Sequence, residues 1–358
     1  MSHTRLSLAL DAPEALPVEG RIAVFRPTAE SDLSLLPKER LHLIQGFRPD
    51  YDALTARGYT VSPAPEGSYA GAVVFLPRAK AEARALLAAA CEGVAPGGVI
   101  WVDGMKTDGI DSVIKDVRAH LEISDPIAKA HGKIFSFSAT SGALAAWAAK
   151  PMHPAEGFTT LPGVFSADGV DRGSALLAAC LPEHLPAKMI DLGAGWGWLS
   201  AQVLAREGVE SLDLVEAEHS ALECSKMNIS DPRARFIWGD VTHLKLENRP
   251  TGAVMNPPFH TSRTADPALG AAFIRSAAGL LSLSGTLWMV ANRHLPYEAV
   301  LRETFHEVHE ITPPTGRDGA FRIFRAERPI AHATKPGAAV QKPVSAPPKG
   351  RRVARTRR

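Results

Sequence analysis

Asn256-Pro257-Pro258-Phe259-His260 closes a short apolar run, GAVM. Two consecutive prolines remove two backbone donors and fix two φ angles, so the chain cannot continue there as a central strand. The run therefore ends in a rigid turn that presents an amide, an aromatic ring and an imidazole. A second stretch, Asp191-Leu192-Gly193-Ala194-Gly195-Trp196-Gly197, puts glycines where a strand turns into a helix. There the backbone can approach a ligand closely, and a helix N-terminus favours a negative group. The dinucleotide pattern GxGxxG would need glycine at 198, where Trp198 stands. A GxGxG loop behind a strand aspartate instead suits an adenosyl-amino-acid ligand, which has no pyrophosphate. Glycine turns are also common structural punctuation, so the loop alone decides little.

Its spacing to other polar groups decides more. Glu216 ends the next apolar run, where an acid can accept both hydroxyls of a ribose. Asp240 follows Gly239 at the end of a third run, placed to accept an adenine amino group. Asn256 ends the fourth. Singly, each acid is more often a cap or a solvated loop residue. In register they supply one polar group at the carboxyl end of each successive strand, which a nucleoside lying across a sheet requires. Asn292, Arg293 and His294 end a fifth run beside them.

The elements that must hold these residues follow from pattern. LPAKMIDLGAG reads as a strand ending in glycines, and WLSAQVLAREG as a helix closed by Gly208. SLDLVEAE, ARFIWGD, TGAVMN and TLWMVAN read as further strands, with helices at HSALECSKMNI and DPALGAAFIRSAAGLLSLSG. HEVHEI and FRIFRAE, around a Pro/Gly-rich turn, form a closing hairpin. Such alternation predicts a parallel sheet covered on both faces, with ligands beyond the carboxyl ends of its strands. The first half carries a faint copy. Gly71-Ala72-Val73-Val74-Phe75-Leu76-Pro77 aligns with Gly252 to Pro258, and PGGVIWVDG with LSGTLWMVAN. The opening strand, RIAVFRPTAE, has no glycine loop after it, and Phe75 and Leu76 replace the asparagine and its neighbouring proline. We read an internal duplication whose first copy keeps the scaffold without the chemistry. The join falls near 141–160, where no period is evident.

Bulk properties agree with two globular domains. The chain has 358 residues, 45% hydrophobic and 22% charged. Cys91, Cys180 and Cys224 are too scattered for a disulfide framework or a zinc site, and the 13 histidines lack metal-ligand spacing. We expect no metal. No apolar run is long enough for a membrane span, and the expected location is cytoplasmic. The 40 basic and 38 acidic residues are unevenly spread. The last 28 residues hold three Lys, five Arg and no acid, so the first 330 carry a net −6. The Pro/Ala-rich basic segment 331–358 is expected to be a disordered tail, either solubilising or tracking phosphates.

DLGAGWG, the strand-end acid and NPPF together resemble class I S-adenosylmethionine-dependent methyltransferases whose acceptor is a planar nitrogen. LPGVFSADGVDRGSALL before the glycine loop, NPPFH and ANRHLPYEAVLRETF narrow the resemblance. They are similar to the bacterial guanine-N2 methyltransferases of ribosomal RNA, nearest the small-subunit methyltransferase C family, with the family that acts on the large ribosomal subunit beside it. The specific match covers about 161–328. Trp196 and Trp198 depart from it, being bulkier than the residues usual in that loop.

The resemblance implies a fold of two tandem Rossmann-like α/β methyltransferase domains. Residues 1–150 would form a degenerate, non-catalytic domain. Residues 151–330 would form the catalytic one, with a seven-stranded, mostly parallel sheet and an antiparallel hairpin strand. It implies S-adenosylmethionine as cofactor, ribosomal RNA or the small subunit as partner, and a monomer. Asp191, Gly193, Gly195, Glu216, Asp240 and Asn256 would bind the cofactor. Asn256, Pro257 and Phe259 would carry catalysis, and Phe259, His260, Arg293 and His294 would meet the substrate. Phe165 and the Asp171-Arg172-Gly173-Ser174 turn would help close the cofactor pocket. A guanine amine is a poor nucleophile because its lone pair is delocalised. The Asn256 side-chain oxygen and the Pro257 carbonyl would both accept from it and aim that pair at the methyl group. Phe259 would stack on the extruded base. The alternatives are a guanine in large-subunit RNA, another acceptor of NPP-type enzymes including protein glutamine, and a non-catalytic RNA-binding assembly factor.

Overall fold

The computed structural model describes residues 5–11, 15–258 and 267–331. Phe259, His260 and nearly all of the basic tail lie outside the described residues. The chain starts with α1 (Arg5–Leu10) and strands β1 (Ile22–Phe25) and β2 (Leu41–Ile44). Next come α2 (Arg48–Ala56), β3 (Thr60–Ser62), β4 (Gly71–Phe75), α3 (Lys80–Gly93) and β5 (Val99–Met105). Helix α4 (Ile110–Arg118) and strands β6 (Ile127–Lys129) and β7 (Gly132–Ser138) complete the first sheet.

The second half runs α5 (Arg172–Cys180), β8 (Lys188–Leu192), α6 (Trp198–Leu204), β9 (Ser211–Glu216) and α7 (His219–Asn228). It continues with β10 (Ala234–Trp238), β11 (Gly252–Met255), α8 (Pro267–Leu280) and β12 (Thr286–Asn292). Helix α9 (Tyr297–Thr304) leads into strands β13 (Phe305–Ile311) and β14 (Phe321–Pro329).

The two sheets repeat one strand order, β3-β2-β1-β4-β5-β7-β6 and β10-β9-β8-β11-β12-β14-β13. Strand β4 thus takes in the first sheet the place that β11 takes in the second, as the sequence repeat expects. Each sheet is parallel through its first five strands and closes on an antiparallel pair. The central strands β8, β11 and β12 are buried over nearly their whole length, because helices cover both faces. On one face Phe273, Ile274, Ala277 and Ala278 of α8 pack on Ala253, Met255 and Leu287. On the other, Leu199 and Val203 of α6 pack on Val254, Trp288 and Leu212.

Several boundaries differ from the sequence expectation. Strand β1 stops at Phe25, and Arg26 turns the chain away with φ 56°. Strands β2, β3 and β6 were not foreseen; they are three or four residues long and too short to show a period. Helix α6 ends at Leu204, ahead of Gly208. Strand β10 ends at Trp238, so Asp240 stands two residues beyond it.

Candidate active site

The carboxyl ends of β8, β9, β10 and β11 open onto a cavity of about 650 Å³. Gly193, Gly195, Glu216, Asp240, Asn256, Pro257 and Pro258 all line it, with Phe165 above. A smaller hollow beside it is shared by Phe165, the glycine loop, Asp171, Ser174 and Asn256. The sequence-expected cofactor residues therefore converge, with one exception.

The loop after β8 turns through Gly193, Gly195 and Gly197 at φ 84°, 56° and 91°, a left-handed region that side chains resist. Gly197 is bare for a second reason: a Cβ there would lie 2.9 Å from Ile229 and 3.1 Å from Ser225. The amide of Gly195 donates to Glu216 Oε2 at 2.7 Å, and that of Glu218 to Oε1 at 2.8 Å. These bonds fix the carboxylate plane at the end of β9 and leave lone pairs for two further donors. Burial raises the Glu216 carboxyl above its ordinary range, and the backbone donors pull against that.

Asp191 is the exception. Its carboxylate is 1% exposed and lies beneath the loop, outside the cavity lining. Ser200 on α6 donates to Oδ2 at 2.6 Å, and Oδ1 has no partner among the described residues. Burial pushes its pKa up to about 7, with the Glu216 charge adding to the rise. In this structure the side chain serves as a strand-to-helix tie and stands apart from the other expected cofactor residues, because it faces α6.

Asn256 follows β11 directly. Its Nδ2 donates to Asp171 Oδ2 at 2.7 Å and to Ser174 Oγ at 2.9 Å. A carboxylate only accepts, so the amide orientation is set: the NH2 group faces α5 and Oδ1 is left without a partner among the described residues. Asp171 also caps α5, accepting from the Ser174 amide at 2.8 Å. One carboxylate oxygen thus anchors a helix and orients the asparagine.

Asp240 lines the cavity but serves its own turn as well. It accepts from Thr242 N at 2.8 Å and Thr242 Oγ1 at 2.7 Å, and contacts His243 Nδ1 at 2.7 Å. Burial works to raise its pKa, but the His243 and Thr242 bonds outweigh this and hold it below the usual range.

The structure accounts for Trp196. Its indole is 4% exposed, meets Phe158 edge-on at 5.4 Å and donates to the Phe165 carbonyl at 3.0 Å. That bond ties the segment bearing Phe165 over the cavity. Arg293 and His294 are not brought to the cavity wall. The Arg293 guanidinium is held by the carbonyls of Asp318 and Phe321 at 2.6 and 3.0 Å, and His294 is exposed. The one histidine-containing group able to hold a metal among the described residues, Glu307, His309 and Glu327, is on the hairpin strands β13 and β14. Sequence spacing did not disclose it, since the three meet only by strand pairing.

The residues present fit an adenosyl ligand: a bare turn, a carboxylate with open acceptors, and a largely apolar cavity ending at an oriented asparagine. In a sheet of this order, that convergence defines a methyltransferase. A family model described as methyltransferase small domain matches residues 155–325, and one described as methyltransferase small domain N-terminal matches 44–144. Ribosomal RNA small subunit methyltransferase C of Erwinia tasmaniensis is 33% identical over 263 residues, covering 71% of this chain and 74% of that protein. Its namesake from Cronobacter sakazakii is 37% identical over 171 residues, 47% of this chain and 48% of that one. Among solved structures, the T. thermophilus 16S rRNA N2 G1207 methyltransferase in complex with AdoMet and guanosine superposes with a TM-score of 0.72. It is 26% identical, and the match covers 87% of this chain and 89% of that one. The chain belongs to the ribosomal RNA small subunit methyltransferase C family. No helix among the described residues is long and apolar enough to cross a membrane.

Proposed function

We propose that this protein transfers the methyl group of S-adenosylmethionine to the exocyclic N2 amine of a guanine in small-subunit ribosomal RNA. The observation that carries the reading is the oriented Asn256. Its Nδ2 is held by Asp171 and Ser174, which leaves Oδ1 as a fixed acceptor at the edge of the cofactor cavity. The sulfonium supplies an electrophilic methyl group. Asn256 Oδ1 and the Pro257 carbonyl accept the two amine hydrogens, drawing the nitrogen lone pair out of conjugation and toward that methyl. When bound, S-adenosylmethionine would give up its methyl group to that nitrogen with loss of the neutral thioether, and the surplus proton would pass from nitrogen to solvent. Positioning of this kind can contribute roughly 7–11 kcal/mol, so no strong base is required.

Glu216 would take the ribose hydroxyls, Asp240 the base amine, and Gly193 and Gly195 the amino-acid end of the cofactor. Phe259 would stack on the base and His260, Arg293 and His294 would meet the RNA. The unit 151–330 would be catalytic and 1–150 non-catalytic, since Phe75-Leu76-Pro77 occupies the position of Asn256-Pro257-Pro258. The same reading has the protein act as a monomer in the cytoplasm.

The test is methyl transfer from labelled S-adenosylmethionine to purified small subunits and to naked rRNA, followed by nucleoside digestion. Label in N2-methylguanosine is expected. Asn256→Ala should lower kcat roughly 100- to 1000-fold, on the scale of losing a transition-state hydrogen-bond partner. Label in another nucleoside, or near-normal turnover by Asn256→Ala, would refute the reading.

A further inference from the structure

The cofactor cavity has a wall that the catalytic half does not make. Phe47 and Pro49, which follow β2 of the first sheet, line it together with Glu216, Ala217, Asp240, Val241 and Thr242. We infer that Phe47 covers the adenine of S-adenosylmethionine, making the non-catalytic domain part of the cofactor site. This rests on the cofactor assignment above and extends it to a residue from the other domain.

The loop is held in place with few degrees of freedom. Phe47 and Glu218 form an antiparallel bridge between the two domains: Arg48 N donates to Ala217 O at 2.8 Å and His219 N to Gly46 O at 2.9 Å. Trp238 Nε1 donates to the carbonyls of Gly46 and Ala217 at 3.1 and 2.8 Å, and Arg48 returns a bond to Trp238 O at 3.0 Å. Buried Gln45 accepts from Phe47 N at 2.8 Å. A Cβ on Gly46 would lie 2.7 Å from Glu218 Oε1, so a larger residue there would push that carboxylate aside. Arg26 reaches across to both oxygens of Glu218, at 3.1 and 2.9 Å.

Within this fixed frame one large apolar ring is left open. Phe47 is 39% exposed and faces the cavity. It also stands at the N-cap of α2, where it makes no capping bond and where Ser, Asp or Asn would serve the helix better. Its neighbours place it at the base end of the cavity. It pairs with the residue two beyond Glu216, whereas Asn256 directly follows β11, with β8 lying between β11 and β9. With strands about 4.8 Å apart, that separation is roughly 10 Å, too far for the ring to meet the accepting amine.

Titration calorimetry with S-adenosylhomocysteine and with methylthioadenosine, which lacks the amino-acid end, tests the inference on the full chain. Phe47→Ala should weaken both ligands by the same factor, roughly tenfold, within the range lost with one base–aromatic stack. Phe47→Tyr should bind as the wild type does, and Phe47→Leu, a variant safer for folding, should fall between. An unchanged Kd for both Phe47→Ala and Phe47→Leu would overturn the inference and leave the cofactor assignment standing. Loss confined to S-adenosylhomocysteine would overturn it too, by moving the ring to the amino-acid end. Failure of the wild type to bind either ligand would sink the cofactor assignment itself.

Discussion

Replacing Asp171 with alanine probes the orientation of Asn256 without touching the reacting atoms. The mutation removes one oxygen that takes two bonds, from Asn256 Nδ2 at 2.7 Å and from Ser174 N at 2.8 Å. The first is charge-assisted and holds about 1.5–3 kcal/mol. Without it only the Ser174 hydroxyl remains, and because a hydroxyl can accept from Nδ2 or donate to Oδ1 it prefers neither amide orientation. If the lost preference appears in the transition state, kcat falls roughly 10- to 100-fold at ~1.4 kcal/mol per decade. The second bond is a helix cap, so stability should drop by about 1 kcal/mol. Asp171→Asn separates the two effects, because its amide oxygen can accept both bonds and only the charge is lost. It should cost less than about tenfold in kcat and little stability. Cofactor affinity should change at most two- to threefold in either variant, since Glu216 and the glycine loop are untouched. Single-turnover methylation with calorimetric Kd values measures each quantity. Wild-type kcat in a folded Asp171→Ala protein, or equal losses in both variants, would refute the orienting role.

Glu216→Ala should raise the cofactor Kd roughly 10- to 100-fold, the scale of losing one hydrogen bond to a charged acceptor, with kcat at saturation much less affected. An unchanged Kd would place the ribose elsewhere. Asp191 makes a pH prediction. Its pKa is about 7 in the folded protein against 3.8 without the burial, so between those values the folded state binds the extra proton. Its contribution to stability is therefore fully present below pH ~4 and lost as pH rises through 7, amounting to roughly 2–3 kcal/mol between pH 5 and pH 8. Urea unfolding of wild type and Asp191→Asn at both pH values checks this, and a difference between the two proteins that does not move with pH would disprove it.

Much of the site was legible in local pattern. Period and glycine punctuation identified β8, β9, β11 and β12, and placed Gly193, Glu216 and Asn256 at strand ends that meet in space. The match of β4 to β11 was legible too, because a duplicated strand keeps its apolar run after its chemistry is gone. Phe259 and His260 remain sequence inferences. Asp191 lies off the cavity lining, which was not legible, since alternation gives the strand but not which face the acid takes.

What the sequence determined by itself was the succession of strands and helices along the second half and the polar group at each strand's end, since both depend on neighbours a few residues apart. The tertiary structure alone decided which acceptor Asn256 shows the cavity and which ring closes its far wall. The first depends on Asp171, 85 residues away, and the second on the loop after β2 of the other domain. Neither contact has a period or a spacing. Each exists because a side chain that can only accept, or a glycine that leaves room, happens to face its partner once two layers have packed.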